Sequence, residues 1–163
     1  MYRIGGRFRY EIPIPGAKTI KSKWSLNGLI TATIDDLWDV YFSNGTPPAA
    51  WFLGIISNTG FTALAATDTM ASHAGWTEAT NYSGSRPAWS PGDSAGGIKT
   101  NPTAAEFPIT TEEALRGMFV VANNTKGGTT GLLWATGEFE SGVTTPPVGS
   151  TFKLFYELTG REG

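Results

Sequence analysis

The stretch LRGMFVVANNTKGGTTGLLWATGEF, residues 115–139, predicts the fold class of this chain. Two apolar runs of strand length, 115–123 and 131–139, flank the spacer NNTKGGTTG, which is rich in turn-forming residues. Both runs contain β-branched and aromatic side chains, which are enriched in strands. The stretch therefore predicts two β-strands joined by a loop.

Runs of the same kind extend outward from this stretch in both directions. They cover 49–57, 76–83, 105–110 and 150–159, with turn-rich spacers between them. Six or seven strands at this spacing, counting a possible N-terminal one, predict a mainly β fold, either a β-sandwich or a jelly roll. The 163 residues suit a single domain, and 21 glycines with 6 tryptophans agree with many turns and aromatic packing.

One segment has helical instead of strand periodicity, namely NGLITATIDDLWDVYFSNG at 27–45. Its apolar side chains recur at helical spacing: Ile30, Ile34, Leu37, Trp38 and Tyr41. The aspartates fall mostly on the other side, which is typical of a solvated helix face. We therefore predict one amphipathic helix whose apolar face is buried over an end or edge of the β-structure.

Charge divides the chain into an N-terminal segment and a body. Residues 1–24 have a net charge of +5, whereas residues 25–163 have a net charge of −7. Prolines and glycines interrupt the first segment, so we predict an extended basic arm, 1–24, attached to a β-rich body, 25–163. The alternative is a first strand whose charges face water, because RFRYEIPI at 7–14 alternates between charged and apolar side chains.

In the first interpretation the arm binds a partner protein. The predicted partner-binding side chains are basic or aromatic: Arg3, Arg7, Phe8, Arg9, Tyr10, Lys18, Lys21 and Lys23. Arginines mixed with aromatic rings are also found at nucleic-acid sites, but the acidic body would repel phosphates and argues against nucleic acid.

The stretch SPGDSAGG, residues 90–97, resembles the nucleophile loop of chymotrypsin-like serine proteases. A serine triad needs a histidine base and a carboxylate that orients it. The single histidine, His73, lies too close in sequence to Ser94, and the sole aspartate between them is Asp93. We therefore expect a glycine-rich loop here, no catalytic residue, and a protein that is not an enzyme.

Composition also bears on metal sites, cofactors and membrane insertion. The chain has no cysteine and one histidine, so we expect neither a metal site nor a cofactor. No apolar run approaches the roughly 20 residues of a membrane-spanning helix, so we expect no membrane insertion. The N-terminus does not read as a secretory signal.

A resemblance supplies a further expectation. The run AAWFLGIISNTGFTALAATDTMASHAGWTEATNYSGSRPAWSPG, followed by NTKGGTTGLLWATGEF and the closing GSTFKLFYELT, resembles a family of small, mostly uncharacterised virion structural proteins of tailed bacteriophages. The similarity covers residues 26–159 and implies a β-rich virion component with no catalytic residues. It says nothing of residues 1–24.

Two placements in the particle stay open. The first is a capsid decoration or cement protein that attaches to neighbouring subunits through its N-terminal arm, with the major capsid protein or other virion proteins as partners. The alternative is a head-fibre, collar or tail attachment protein with a β-rich binding tip. Both place the protein in virions assembled in the bacterial cytoplasm, and both suit a homo-oligomer.

Overall fold

A computed structural model describes residues 2–162, with side chains described from 4 to 160. These residues form ten strands and one helix, in this order: β1 (Tyr2–Ile12), β2 (Ile20–Lys21), β3 (Ser25–Leu29), α1 (Thr31–Phe42), β4 (Trp51–Ser57), β5 (Ala88–Trp89), β6 (Ile98–Thr100), β7 (Ala105–Pro108), β8 (Leu115–Val121), β9 (Leu133–Glu138) and β10 (Thr151–Glu162). The predicted fold class, a mainly β single domain with one helix, is confirmed.

All strand pairs are antiparallel, and the strands form one sheet in the order β5-β4-β8-β9-β3-β1-β10-β6. In addition, β2 pairs with β1 and β7 pairs with β10. The sheet curls at β3, whose first half pairs with β1 and whose second half pairs with β9. The curl brings Trp89 of β5 against Tyr156 of β10, with ring centroids 5.3 Å apart, so the two halves of the sheet face each other.

Apolar side chains fill two regions. The larger lies between the facing halves and includes Phe8, Leu53, Met118 and Phe152. The smaller contains Ile56, Phe119 and Val121 of the same strands together with Met70 and Trp76, which come from the long segment after β4. Because strand side chains alternate between faces, this segment covers the other side of the sheet.

The N-terminal segment is not a separate arm, and this part of the prediction is wrong. Strand β1 pairs with β10 from Tyr2↔Glu162 to Glu11↔Lys153. Phe8, Tyr10 and Ile12 are buried in the core. The alternation in RFRYEIPI places aromatic rings inward and arginines outward, so the alternative interpretation, a strand whose charges face outward, is confirmed.

Two further boundaries differ from the sequence prediction. Residues 25–29, which overlap the predicted helix, form β3, and α1 begins only at Thr31. Residues 76–83 form no named strand, although isolated bridges join Glu78 to Ile56 and Tyr82 to Ile109. The segment 76–83 instead carries side chains that tie the loops together.

A buried ion pair makes that tie. Both carboxylate oxygens of Glu78 accept hydrogen bonds from Arg86, at 2.9 Å from Nε and 2.7 Å from a terminal nitrogen, and the two side chains are 6% and 0% exposed. Arg86 also donates to the carbonyl oxygens of Asn123 and Gly128. The pair therefore fixes the 122–131 loop.

The same ion pair lies beside Tyr82. Burial, together with the neighbouring Glu78 carboxylate, raises the pKa of the Tyr82 hydroxyl.

The first prediction concerns the contribution of β1 to stability. The Phe8 ring occupies the position where a Cβ on Gly137 would lie. Phe8 of β1 therefore packs directly against β9. We expect Phe8→Ala to lower the free energy of unfolding by about 3–5 kcal/mol, measured by denaturant titration. Ile4→Ala is the control, because Ile4 is on the same strand but 50% exposed. Equal losses for the two variants would contradict a buried β1.

The second prediction compares two ion pairs. Glu78→Gln leaves the Arg86 charge buried without its carboxylate, so we expect a loss of about 3–5 kcal/mol in unfolding free energy. Glu138→Gln removes a surface partner of Arg116, whose side chain is 35% exposed, and should cost at most about 1 kcal/mol. If Glu78→Gln unfolds at the same denaturant concentration as Glu138→Gln, the buried pair does not fix the loop.

Candidate interaction surface

The predicted partner-binding residues fall into two groups in the structure. Phe8 and Tyr10 are core residues, so they cannot contact a partner while the protein is folded, and their assignment is corrected here. The described basic side chains of β1 lie on its outer face. Arg7 Nε donates to Glu157 at 2.7 Å, and Arg9 donates to Glu11. The side chain of Arg3 lies outside the described residues.

The outer face of β1 has its own aromatic packing. The guanidinium of Arg9 lies 5.4 Å from the centroid of the Trp24 ring and 4.2 Å from that of Phe155. Arg7 also lies over Trp24, at 4.5 Å. The structure therefore brings the two arginines together, but it places them in contacts within the protein itself.

Carboxylates neutralise much of the positive charge on this face. Glu11 accepts a hydrogen bond from Arg9, and Lys21 lies 3.1 Å from the same carboxylate. The hydrogen bond from Arg9, reinforced by Lys21, lowers the pKa of Glu11. Lys18 and Lys23 are exposed, and they form no ion pair within the described part of the chain. The net +5 of the sequence is therefore not a free positive surface.

The α1 helix presents an exposed aromatic surface, and two of its three rings, Trp38 and Tyr41, belong to the face that the sequence predicts to be buried. Trp38 is 50% exposed, Tyr41 74% and Phe42 78%, and the Trp38 and Phe42 ring centroids are 5.7 Å apart. Spacings of three and four residues place the three rings on one side of the helix. We call these three side chains the α1 surface. Contiguous exposed aromatic side chains of this kind mark interaction sites.

The predicted buried face of α1 is therefore wrong for its second half. The helix is attached through its first turn, where the Thr33 hydroxyl donates to the carbonyl oxygens of Leu133 at 3.0 Å and Trp134 at 2.9 Å. Thr33 is the one fully buried residue of the helix. Leu37 and Val40 are only partly buried, so the last turn has little of the sheet beneath it.

Two clefts flank α1. One, of about 400 Å³, lies between Leu37 and Tyr41 of the helix and Leu158 of β10. The other, of about 410 Å³, lies between the helix and the segment leading into β4. We call the second the tryptophan cleft, and its lining consists of Asp36, Leu37, Val40, Tyr41, Pro47, Pro48, Trp51 and Trp134.

Ser94 and His73, the two residues that suggested a serine protease, lie in different environments. Ser94 is exposed in the glycine-rich loop and lines the cleft beside Tyr41. His73 stacks on Trp76 with ring centroids 4.0 Å apart, and its Nδ1 lies 2.9 Å from the Trp76 carbonyl oxygen. No hydrogen bond joins Ser94 to His73 within residues 2–162.

The part of the chain that the structure describes offers neither a metal site nor a membrane-spanning helix. It contains no group of three or more histidine, aspartate or glutamate side chains arranged to hold a metal ion. Its single helix is too short to cross a membrane. No protein-family model matches the chain, and no curated protein matches its sequence.

The third prediction concerns the stability of variants in the α1 surface. Trp38→Ala and Phe42→Ala should lower the free energy of unfolding by no more than about 1 kcal/mol, because Trp38 is 50% exposed and Phe42 is 78% exposed. Phe119→Ala, in contrast, removes a ring that is fully buried and should cost about 3–5 kcal/mol. Denaturant titration of the three variants measures the difference. A Trp38→Ala loss close to that of Phe119→Ala would show that the helix face is buried after all.

Proposed function

We propose that the protein is a structural component of a tailed-phage virion, a capsid decoration protein that attaches to neighbouring subunits through the α1 surface. The virion role is supported by the sequence resemblance over residues 26–159. The attachment surface is supported by one observation, which is that Trp38, Tyr41 and Phe42 are at least half exposed on one side of a helix.

The physical argument concerns the cost of leaving such rings in water. Covering a large aromatic side chain removes apolar surface from water, which is favourable in free energy. Such side chains are also enriched at the centres of protein interfaces. The rings project from a helix, so covering them requires little rearrangement of the sheet. The α1 surface is therefore the place where a neighbouring subunit gains most by docking.

The outer face of β1 is a weaker candidate for attachment. Its arginines already contact Glu11, Glu157 and Trp24 within the protein. A partner would have to replace these contacts, and exchanging one set of ion pairs for another contributes little net affinity. We therefore place the attachment on α1 and not on the basic residues of the N-terminal segment.

The fourth prediction tests the attachment. We expect the triple variant Trp38→Ala, Tyr41→Ala, Phe42→Ala to bind particles lacking this protein at least about 30-fold more weakly, the effect of losing one hot-spot side chain. Sedimentation of particles with bound protein measures the affinity. Leu26→Ala is the matched control, because Leu26 is 82% exposed on β3 and should bind as the unaltered protein does.

The outcomes separate the parts of the proposal. Unchanged binding of the triple variant would remove the α1 surface from the attachment. Absence of the protein from purified particles would overturn the virion role itself. A copy number near that of the capsid subunit is expected for a decoration protein, whereas a dozen copies or fewer would assign the protein to the collar or tail.

A further inference from the structure

The tryptophan cleft combines aromatic side chains with a carboxylate, whereas the α1 surface consists of aromatic side chains alone. Three aromatic residues line it, Tyr41 from the helix and Trp51 and Trp134 from β4 and β9. The two tryptophans meet edge to face, with ring centroids 5.1 Å apart and planes at 67°. The indole nitrogen of Trp134 is buried, so this side chain presents carbon, and not its N–H group, to the solvent side.

One carboxylate accompanies these rings. Asp36 lines the cleft and is only partly exposed. It forms no hydrogen bond or ion pair within the described residues, in contrast to Glu11 and Glu78. A partly desolvated carboxylate without a partner is a ready acceptor for a positive donor.

The rest of the lining favours positive charge as well. Pro47 and Pro48 line the cleft and have no backbone N–H, so neither can donate a backbone hydrogen bond to an anion. No lysine or arginine lines the cleft, and α1 contains three aspartates and no basic residue. Such a lining repels anions and attracts cations, because aromatic faces and carboxylates both present negative potential.

We propose that the tryptophan cleft binds an organic cation, and that in the assembled particle this cation is a lysine or arginine side chain of the neighbouring subunit. The assignment of the donor rests on the proposed attachment through α1. Tyr41 belongs to both the cleft and the α1 surface, so a subunit docked on the rings reaches the cleft directly. The occupant is complementary in charge to Asp36, the carboxylate that lines the cleft.

The fifth prediction uses small probes on the full-length protein. Butylammonium and methylguanidinium, which mimic the two side chains, should produce saturable shifts of the Trp51 indole N–H resonance in NMR titrations. Neutral butanol, which has the same carbon chain as butylammonium, should not. We expect Asp36→Asn to weaken the binding of both cations about 5- to 10-fold, and we expect Trp51→Leu, followed through the Trp134 indole N–H resonance, to abolish it.

Asp35→Asn is the matched control, because it removes the same charge from the same helix at an exposed position that does not line the cleft. It should change the affinity by less than about 2-fold, since exposed charges are screened. Equal effects of the two aspartate variants, or equal binding of butanol, would overturn the cation site. Saturable shifts with methyl glucoside and none with the cations would make the cleft a sugar site and would also overturn it.

Particle binding then tests the donor. Asp36→Asn should weaken attachment to particles, while Asp35→Asn should not. Cation binding to the free protein without any effect of Asp36→Asn on attachment would overturn the assignment to a neighbouring subunit. The probe titration needs no particle, so failure of the α1 attachment and failure of the cation site give different results.

Discussion

The antiparallel pairing of β1 with β10 is the constraint on which the rest of the structure depends. β10 also pairs with β6 and β7, and β1 also pairs with β2 and β3. Between β6 and β7 the Asn101 side chain takes the place of a strand residue, accepting from the Tyr156 backbone N–H at 2.8 Å. The Tyr156 carbonyl oxygen in turn accepts from Trp89 Nε1 and Thr100 Oγ1, so both ends of the sheet are tied to one residue of β10.

This framework leaves the proposed attachment surface and the tryptophan cleft at its periphery. Buried pairs such as Glu78–Arg86 fix the loops, and the arginines of β1 are held by their own carboxylates. The α1 helix is different, because the hydrogen bonds of Thr33 attach its first turn and its last turn projects aromatic rings into solvent. A fixed sheet that carries one exposed helix presents those rings and the adjacent cleft in a defined geometry, which lowers the entropic cost of binding.

The sequence was informative where local pattern and tertiary environment agree. The runs at 115–123 and 131–139 are strands because their apolar side chains find a core on both faces of the sheet. The alternation in β1 was equally visible, but the charge of residues 1–24 pointed to an arm. Net charge cannot reveal that Glu157, far along the chain, lies opposite Arg7.

The helix shows the other limit of sequence analysis. Periodicity identifies which side chains of α1 share a face, but it does not say what that face meets. Ile30, predicted as part of the helical stripe, is buried just before the helix, whereas Tyr41 near its end is largely exposed. The tryptophan cleft was beyond prediction for the same reason, because Asp36, Trp51 and Trp134 come together only through the pairing of β4 and β9 with β8 and the packing of α1 on β9.

The pairing of the first strand with the last also governs the order in which the chain acquires structure. During synthesis β1 leaves the ribosome well before its main partner, residues 151–162. Strands β4, β8 and β9 are all available earlier and pair with one another without β1 or β10. Until residues 151–162 emerge, the nascent chain carries Phe8 and Tyr10 on a strand whose hydrogen-bonding edge facing β10 is open, the kind of segment that chaperones bind and that promotes aggregation. Such end-to-end topology also slows folding, because distant segments must meet before their contacts stabilise either one.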